Sequence, residues 1–167
     1  MTKPHRPFVP YPAAVLRTSA AEVEAITDEV RALWDEMIEA MDTMPGVGLA
    51  APQLGVPLRL VVVDAPDKRG QAMRLANPTI LHASVQLRRH EEASPNLHGV
   101  SAALERPRAV TVRYMNEAGQ YDRHDFVGLW ATSVQHQIDH LDGKMYFDRM
   151  SRMKRDMLLK KARKLNR

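Results

Sequence analysis

Apolar positions in the first third of the chain fall at intervals of three and four. Val23, Ile26, Val30, Leu33, Trp34, Met37, Met41 and Met44 form one stripe, the period of a helix with a single buried side. Ser19 followed by Glu22 has capping-box spacing and sets the expected start, and Pro45-Gly46 sets the stop. The stripe is expected to be core rather than a methionine-rich binding surface. Before it, residues 5–18 hold three prolines and read as an extended lead-in. After it the period changes. Leu58 to Val63 is a continuous apolar run, expected as a buried strand closed by Asp64 and a loop from Pro66 to Gly70. Leu75-Ala76-Asn77-Pro78 and Val85-Gln86-Leu87-Arg88 read as short strand pieces. Ala109 to Tyr114 is a clearer strand, with Asn116-Glu117-Ala118-Gly119 as its turn. A second helix is expected between Gly128 and Gly143, then a last strand over Lys144 to Phe147, then a basic helix to the C-terminus. Helices and strands are segregated rather than alternating, which predicts an α+β fold. There are no repeats or linkers, so 1–167 is expected to form a single domain.

Composition adds limits. There is no cysteine, hence no disulfide framework and no thiolate ligand. Neither a signal-like core nor a run of membrane-spanning length occurs, so a cytoplasmic protein with no membrane partner is expected. The net charge of +4 is too small to argue for nucleic acid by itself. Its distribution is uneven: Arg152, Lys154, Arg155, Lys160, Lys161, Arg163, Lys164 and Arg167 face a single acid, Asp156, so 152–167 carries about +7. Met153, Met157, Ala162 and Leu165 among these cations suit an amphipathic helix packed on the domain. No aromatic residue accompanies them, which leaves base stacking unsupported.

The densest candidate chemistry is Gln135-His136-Gln137-Ile138-Asp139-His140-Leu141-Asp142-Gly143. Histidines four apart share one helix face and can reach a single ion, although a packed or solvated pair fits the same spacing. In metallohydrolase helices of this kind a glutamate follows the first histidine and takes the proton from bound water. Here Gln137 stands there, and an amide cannot accept and return a proton at neutral pH. The stretch Gly46 to Gly55 is rich in small residues that permit close backbone approach, or simply form a turn. It lacks the Gly-x-x-x-x-Gly-Lys pattern of a phosphate loop.

Together these stretches resemble the peptide deformylase family. Gly46 to Gln53 matches its first motif, Gly-Val-Gly-Leu-Ala-Ala-Pro-Gln, without a mismatch, and Gln135 to Gly143 matches its third except at Gln137. Tyr11-Pro12 with Val15-Leu16-Arg17, the strand Val61 to Asp64 and the exit Asp148-Arg149 fit as well. The resemblance implies small antiparallel or mixed sheets around a central His-x-x-x-His helix, with a long N-terminal helix and a C-terminal one. It implies a divalent ion, often ferrous iron, and removal of the formyl group from the N-terminal methionine of nascent peptides. It also implies a C-terminal segment able to contact the ribosome, where cations would meet rRNA phosphates.

The second motif departs from the family's Glu-Gly-Cys-Leu-Ser. Counting back from Arg106-Pro107 places it at Glu92-Ala93-Ser94-Pro95-Asn96. Glu92 keeps the acid and Arg106 its implied ion-pair partner. Ser94 replaces the thiolate ligand with a much weaker hydroxyl. Pro95 stands where a backbone N–H would face the oxyanion, and proline has none. Loss of a general base costs about 10² to 10⁴ in rate, and loss of one oxyanion donor about 10² to 10³. Gln53 matches the family's side-chain amide at the oxyanion.

The implied metal set is thus His136, His140 and a weak Ser94, holding one divalent ion (Fe, Zn or Ni) with reduced affinity or none. His98 could complete a three-histidine set if the loop were redrawn, and Glu91 is a further oxygen donor. His5, His82, His90 and His124 are expected on the surface. The implied substrate contacts are Val47 and Gly48, which pair an extended peptide as an added strand, and Leu129, Thr132 and Ser133 with Trp130 beside them. The two hydroxyls favour a side chain smaller or more polar than methionine, or else face solvent or bond back within the helix. The expected function is a deformylase-like protein with absent or strongly reduced activity. The alternative is a non-catalytic protein that binds peptide N-termini or associates with the ribosome.

Overall fold

The computed structural model describes residues 4–44, 46–65 and 70–166. Pro45 and the segment 66–69, expected as a helix stop and part of a loop, lie outside the described residues. The apolar stripe forms helix α1, Asp28–Thr43, with Val30, Leu33, Trp34, Met37 and Met41 buried. Its start is later than the Ser19/Glu22 spacing suggested. Thr27 is the cap, its hydroxyl accepting from the Val30 N–H at 3.2 Å, and Asp28 and Glu29 in the first turn suit the helix dipole. The preceding backbone is committed elsewhere. Ala21 bridges Leu58 in parallel, and the Asn77 side chain holds both the N–H (2.9 Å) and the carbonyl (2.8 Å) of Val23.

Seven strands follow among the described residues: β1 Gly48–Ala50, β2 Leu60–Val63, β3 Met73–Ala83, β4 Leu87–Ser94, β5 Leu97–Pro107, β6 Ala109–Met115 and β7 Tyr121–Val127. They build a five-stranded sheet in the order β1-β2-β3-β6-β7 and a separate β4-β5 hairpin. Every named pairing is antiparallel, so neither sheet is mixed. Several strands depart from the sequence reading, among them β5, for which no strand was expected. The Leu75–Pro78 piece is the first part of a longer strand whose register slips between Ala76 and Thr79, which absorbs Pro78. Val85, fully exposed, precedes β4 rather than belonging to it. The polar β7 was not anticipated at all, since Asp122, Arg123, His124 and Asp125 interrupt any apolar alternation.

Helix α2, Leu129–Leu141, lies on the inner face of the larger sheet with Val61, Val63, Leu75, Val110, Val112 and Phe126. Helix α1 covers part of the opposite face against Leu60, Val62, Ala76 and Met115. The expected strand from Lys144 is instead a 3-10 turn, Tyr146–Arg149. The Met145 N–H is taken by the Asp148 carboxylate (2.8 Å), and Tyr146 and Phe147 are both buried. The basic segment forms helix α3, Arg152–Leu165, capped by Ser151 and packed through Leu158 and Ala162 beside Val100 and Leu104 of β5. No helix among the described residues is long and apolar enough to cross a membrane.

Candidate functional site

Almost every residue of α2 from Ala131 onward is buried, polar ones included. The helix therefore carries its polar groups into the interior, where each needs a partner. His136 Nδ1 lies 2.7 Å from Glu92 Oε1. Burial alone would raise the Glu92 pKa, but hydrogen bonds from His136 and Arg106 bring it down to about 2. An ionised carboxylate only accepts, so Nδ1 carries the proton and Nε2 is left to meet a ligand. Arg106, itself buried, grips Glu92 in a fork (Nε–Oε2 2.7 Å, Nη2–Oε1 2.9 Å) and reaches Asp139 at 2.9 Å. Asp139 closes the chain on Arg149 with bonds of 2.6 and 2.7 Å. Charges alternate along Glu92–Arg106–Asp139–Arg149, and this network fixes the first histidine through Glu92.

His140 sits a turn deeper, its ring centroid 5.0 Å from that of His136. It is fully buried, and neither ring nitrogen has a hydrogen-bond partner among the described residues. Burial, with nearby His136 and the Arg106 charge adding to it, holds its pKa well below the ordinary histidine value, so the ring is neutral. Unpartnered imidazole nitrogens beside an oriented neighbour fit a divalent ion. The third donor does not. Ser94 Oγ donates to Asn96 Oδ1 (3.1 Å) and accepts from the Asn96 N–H (3.3 Å). Among the described residues, no third His, Cys, Asp or Glu joins the pair in a group able to hold a metal. His98 lines the same cleft without completing such a group. The residues present supply half of an ion site.

The cleft has a volume of about 430 Å³ and lies between β1, the first turns of α2 and the tip of the β4-β5 hairpin. Strand β1 is an edge strand, so one side of its backbone is not paired within the sheet. Gly48 lets α2 come close: a Cβ there would lie 2.4 Å from Ser133 Oγ and 2.8 Å from Gln137 Nε2. Gln137 thus forms part of the wall, and its Oε1 is buried with no partner among the described residues. Gln53 is pinned from both ends, accepting from the Ala50 N–H (2.9 Å) and donating to Asn96 Oδ1 (2.8 Å). One of its two amide hydrogens is therefore committed to Asn96. Val47, Leu129, Thr132 and Ser133 all line the cleft. The two hydroxyls neither face solvent nor bond back within the helix, because each is engaged across elements. Ser133 donates to the Val47 carbonyl (2.7 Å), and Thr132 accepts from Arg88 (3.1 Å). His82 and His124 are exposed, whereas His5 is half-buried and His90 half-buried in the cleft wall.

Three participants escaped the sequence reading. Asp139 and Arg149 lay inside stretches already singled out, but a buried ion network leaves no spacing signature. Asn96 was placed in the second motif without a role, and its bond to Gln53 joins segments far apart in sequence.

The frame is an α+β domain in which one helix brings His136 to the cleft wall and buries His140 a turn below it. A model of the polypeptide deformylase family matches residues 5–156. The peptide deformylase of Caulobacter vibrioides is 42% identical over 156 residues, covering 92% of this chain and 90% of the relative. That of Afipia carboxidovorans is 41% identical over 161 residues, covering 95% and 94%. The crystal structure of peptide deformylase from Ehrlichia chaffeensis in complex with actinonin superposes with a TM-score of 0.91 at 30% identity, covering 99% of each chain. The chain belongs to the polypeptide deformylase family.

Proposed function

We propose that this protein receives peptide N-termini in the cleft between β1 and the hairpin tip, and that its deformylation is absent or strongly reduced. The observation that carries the reading is Gln137, a buried amide beside His136 at the position where family members carry the base. Two neighbours support it. Ser94 is turned to Asn96 instead of presenting a thiolate, and Pro95 has no N–H for an oxyanion. His136 and His140 would hold a divalent ion, with Ser94 as a weak third donor, and such an ion would supply Lewis acidity. The chain's own residues orient His136 through Glu92, keep His140 neutral, and offer the second Gln53 amide hydrogen to a carbonyl oxygen. None of them moves a proton. Residual binding without turnover is the coherent outcome.

The test is formate release from a formyl-methionyl peptide, measured together with metal content. The natural chain is expected to bind less than one equivalent of metal and to turn over at least about 10²-fold more slowly than an ordinary family member. Ser94→Cys, Pro95→Leu and Gln137→Glu together are expected to gain both metal and turnover. Stoichiometric metal and ordinary turnover in the natural chain would overturn the proposal.

A second reading rests on α3, which buries only Leu158 and Ala162 and leaves Lys160, Lys161, Arg163 and Lys164 exposed. That outward charge suits rRNA phosphates. Neutralising the four residues is expected to abolish co-sedimentation with ribosomes while leaving the melting temperature unchanged.

A further inference from the structure

The larger sheet has a second edge, β7, on which no other described strand pairs. All of its residues except Phe126 are exposed. Its backbone phase follows from the bonds that flank it. Gly128 N–H donates to the Arg108 carbonyl (3.0 Å) and Asn116 N–H to the Gln120 carbonyl (2.8 Å). Antiparallel pairs alternate between bonded and non-bonded. In the observed register Asp122, His124 and Phe126 therefore exchange bonds with β6, while Tyr121, Arg123, Asp125 and Val127 direct their N–H and carbonyl groups outward. The Arg123 N–H agrees, being met only by the Asp122 carboxylate at 2.8 Å.

We infer that β7 pairs with β7 of a second copy of this chain, antiparallel about a two-fold axis at His124, to extend the sheet across a dimer. The charges select both the partner and the register. A two-fold centred on His124 sets Tyr121 opposite Val127 and Arg123 opposite Asp125, and each of these pairs consists of residues with outward backbone groups. Sliding the axis to Arg123 sets arginine against arginine, and sliding it to Asp125 sets aspartate against aspartate. Charged edges normally block such pairing, but here the same charges complement their own copies in one register. Neighbours hold them in place. Asp125 accepts from Thr111 Oγ1 (2.6 Å), and Arg113 lies over the Tyr121 ring at 4.0 Å. The other edge is unsuited, because β1 has only three residues and they are buried.

The association is tested by sedimentation velocity from micromolar to near-millimolar protein, with circular dichroism to confirm the fold. The natural chain is expected to form a concentration-dependent dimer that weakens in high salt. Arg123→Asp and Asp125→Arg are each expected to weaken it by about tenfold or more, since each places like charges opposite one another at two symmetric positions. The double reversal R123D/D125R is expected to bring dimerisation back, which a merely misfolded variant would not do. A chain that stays monomeric throughout, single reversals without effect, or a double reversal that fails to restore association would each overturn the inference. Capture of an extended peptide by a monomeric chain would also overturn it.

Discussion

Two sets of polar residues meet around α2 and differ in how well they are satisfied. On one side, Glu92, Arg106, Asp139 and Arg149 form a continuous chain of short ion pairs in which each buried charge has a partner. On the other, Gln137 Oε1 and both His140 nitrogens are buried with none among the described residues. The first set positions a histidine. The second lies on and just beneath the cleft wall. A buried network is costly to disturb piecemeal, since removing one member strands the rest. Changing Ser94, Pro95 or Gln137 on the cleft wall strands no charge. The frame therefore resists change for reasons of stability, while the cleft wall carries no such constraint.

The sharpest way to break this contrast is at Arg106. Arg106→Met leaves Glu92 and Asp139 as buried anions and is expected to cost about 3–5 kcal/mol, a drop of roughly 10 °C in a thermal melt. Pro95→Leu or Gln137→Glu on the cleft wall is expected to move the melt by no more than a few degrees. Equal losses on both sides would mean that the wall supports the fold as much as the network does.

Next in size is the contact between β1 and α2. Gly48→Ala places a methyl within 2.4 Å of Ser133 Oγ, which is itself held by the Val47 carbonyl. Overpacking of this kind costs about 1–3 kcal/mol. Ser133→Ala in the same chain removes the nearer clash, so the double variant is expected to be more stable than the sum of the singles predicts in denaturant titrations. Strict additivity would show that the helix simply moves away.

How much of this could be read beforehand depended on which signals are local. The α1 stripe, the glycine-rich first motif and the His-x-x-x-His helix are local patterns, and each appears where its residues place it. The α1 start was missed because Ser19/Glu22 and Thr27/Asp28/Glu29 are both plausible caps, and the choice was made by distant Asn77 and Leu58. Strand β7 was missed because an exposed edge needs no apolar alternation. In the site, Glu92–Arg106 was legible from the second motif, whereas the reach of Arg106 to Asp139 was not, since it spans two elements and leaves no spacing to detect. The role of Asn96 was hidden for the same reason: it ties Gln53, Ser94 and Val9 together across three segments.

The smallest expected effect separates the two sets by pH. His140 is neutral in the folded chain because burial opposes its charge. In the unfolded chain it takes up a proton below the ordinary histidine value of about 6.5. The unfolded state then binds the extra proton, so stability present above that value falls as the pH drops, by up to about 1.4 kcal/mol per unit. The carboxylates of the frame act in a lower window. Glu92 keeps its charge down to about 2, and Asp148, despite burial, is held low by Arg17, so both protect until well inside the acid range. Urea titrations with a chelator present, between neutral pH and the upper end of the carboxylate range, should therefore isolate the histidine. The natural chain is expected to lose stability across that interval, and His140→Leu to flatten the slope. An unchanged slope in that variant would place the proton on another group and remove the distinction between a satisfied frame and an unsatisfied cleft.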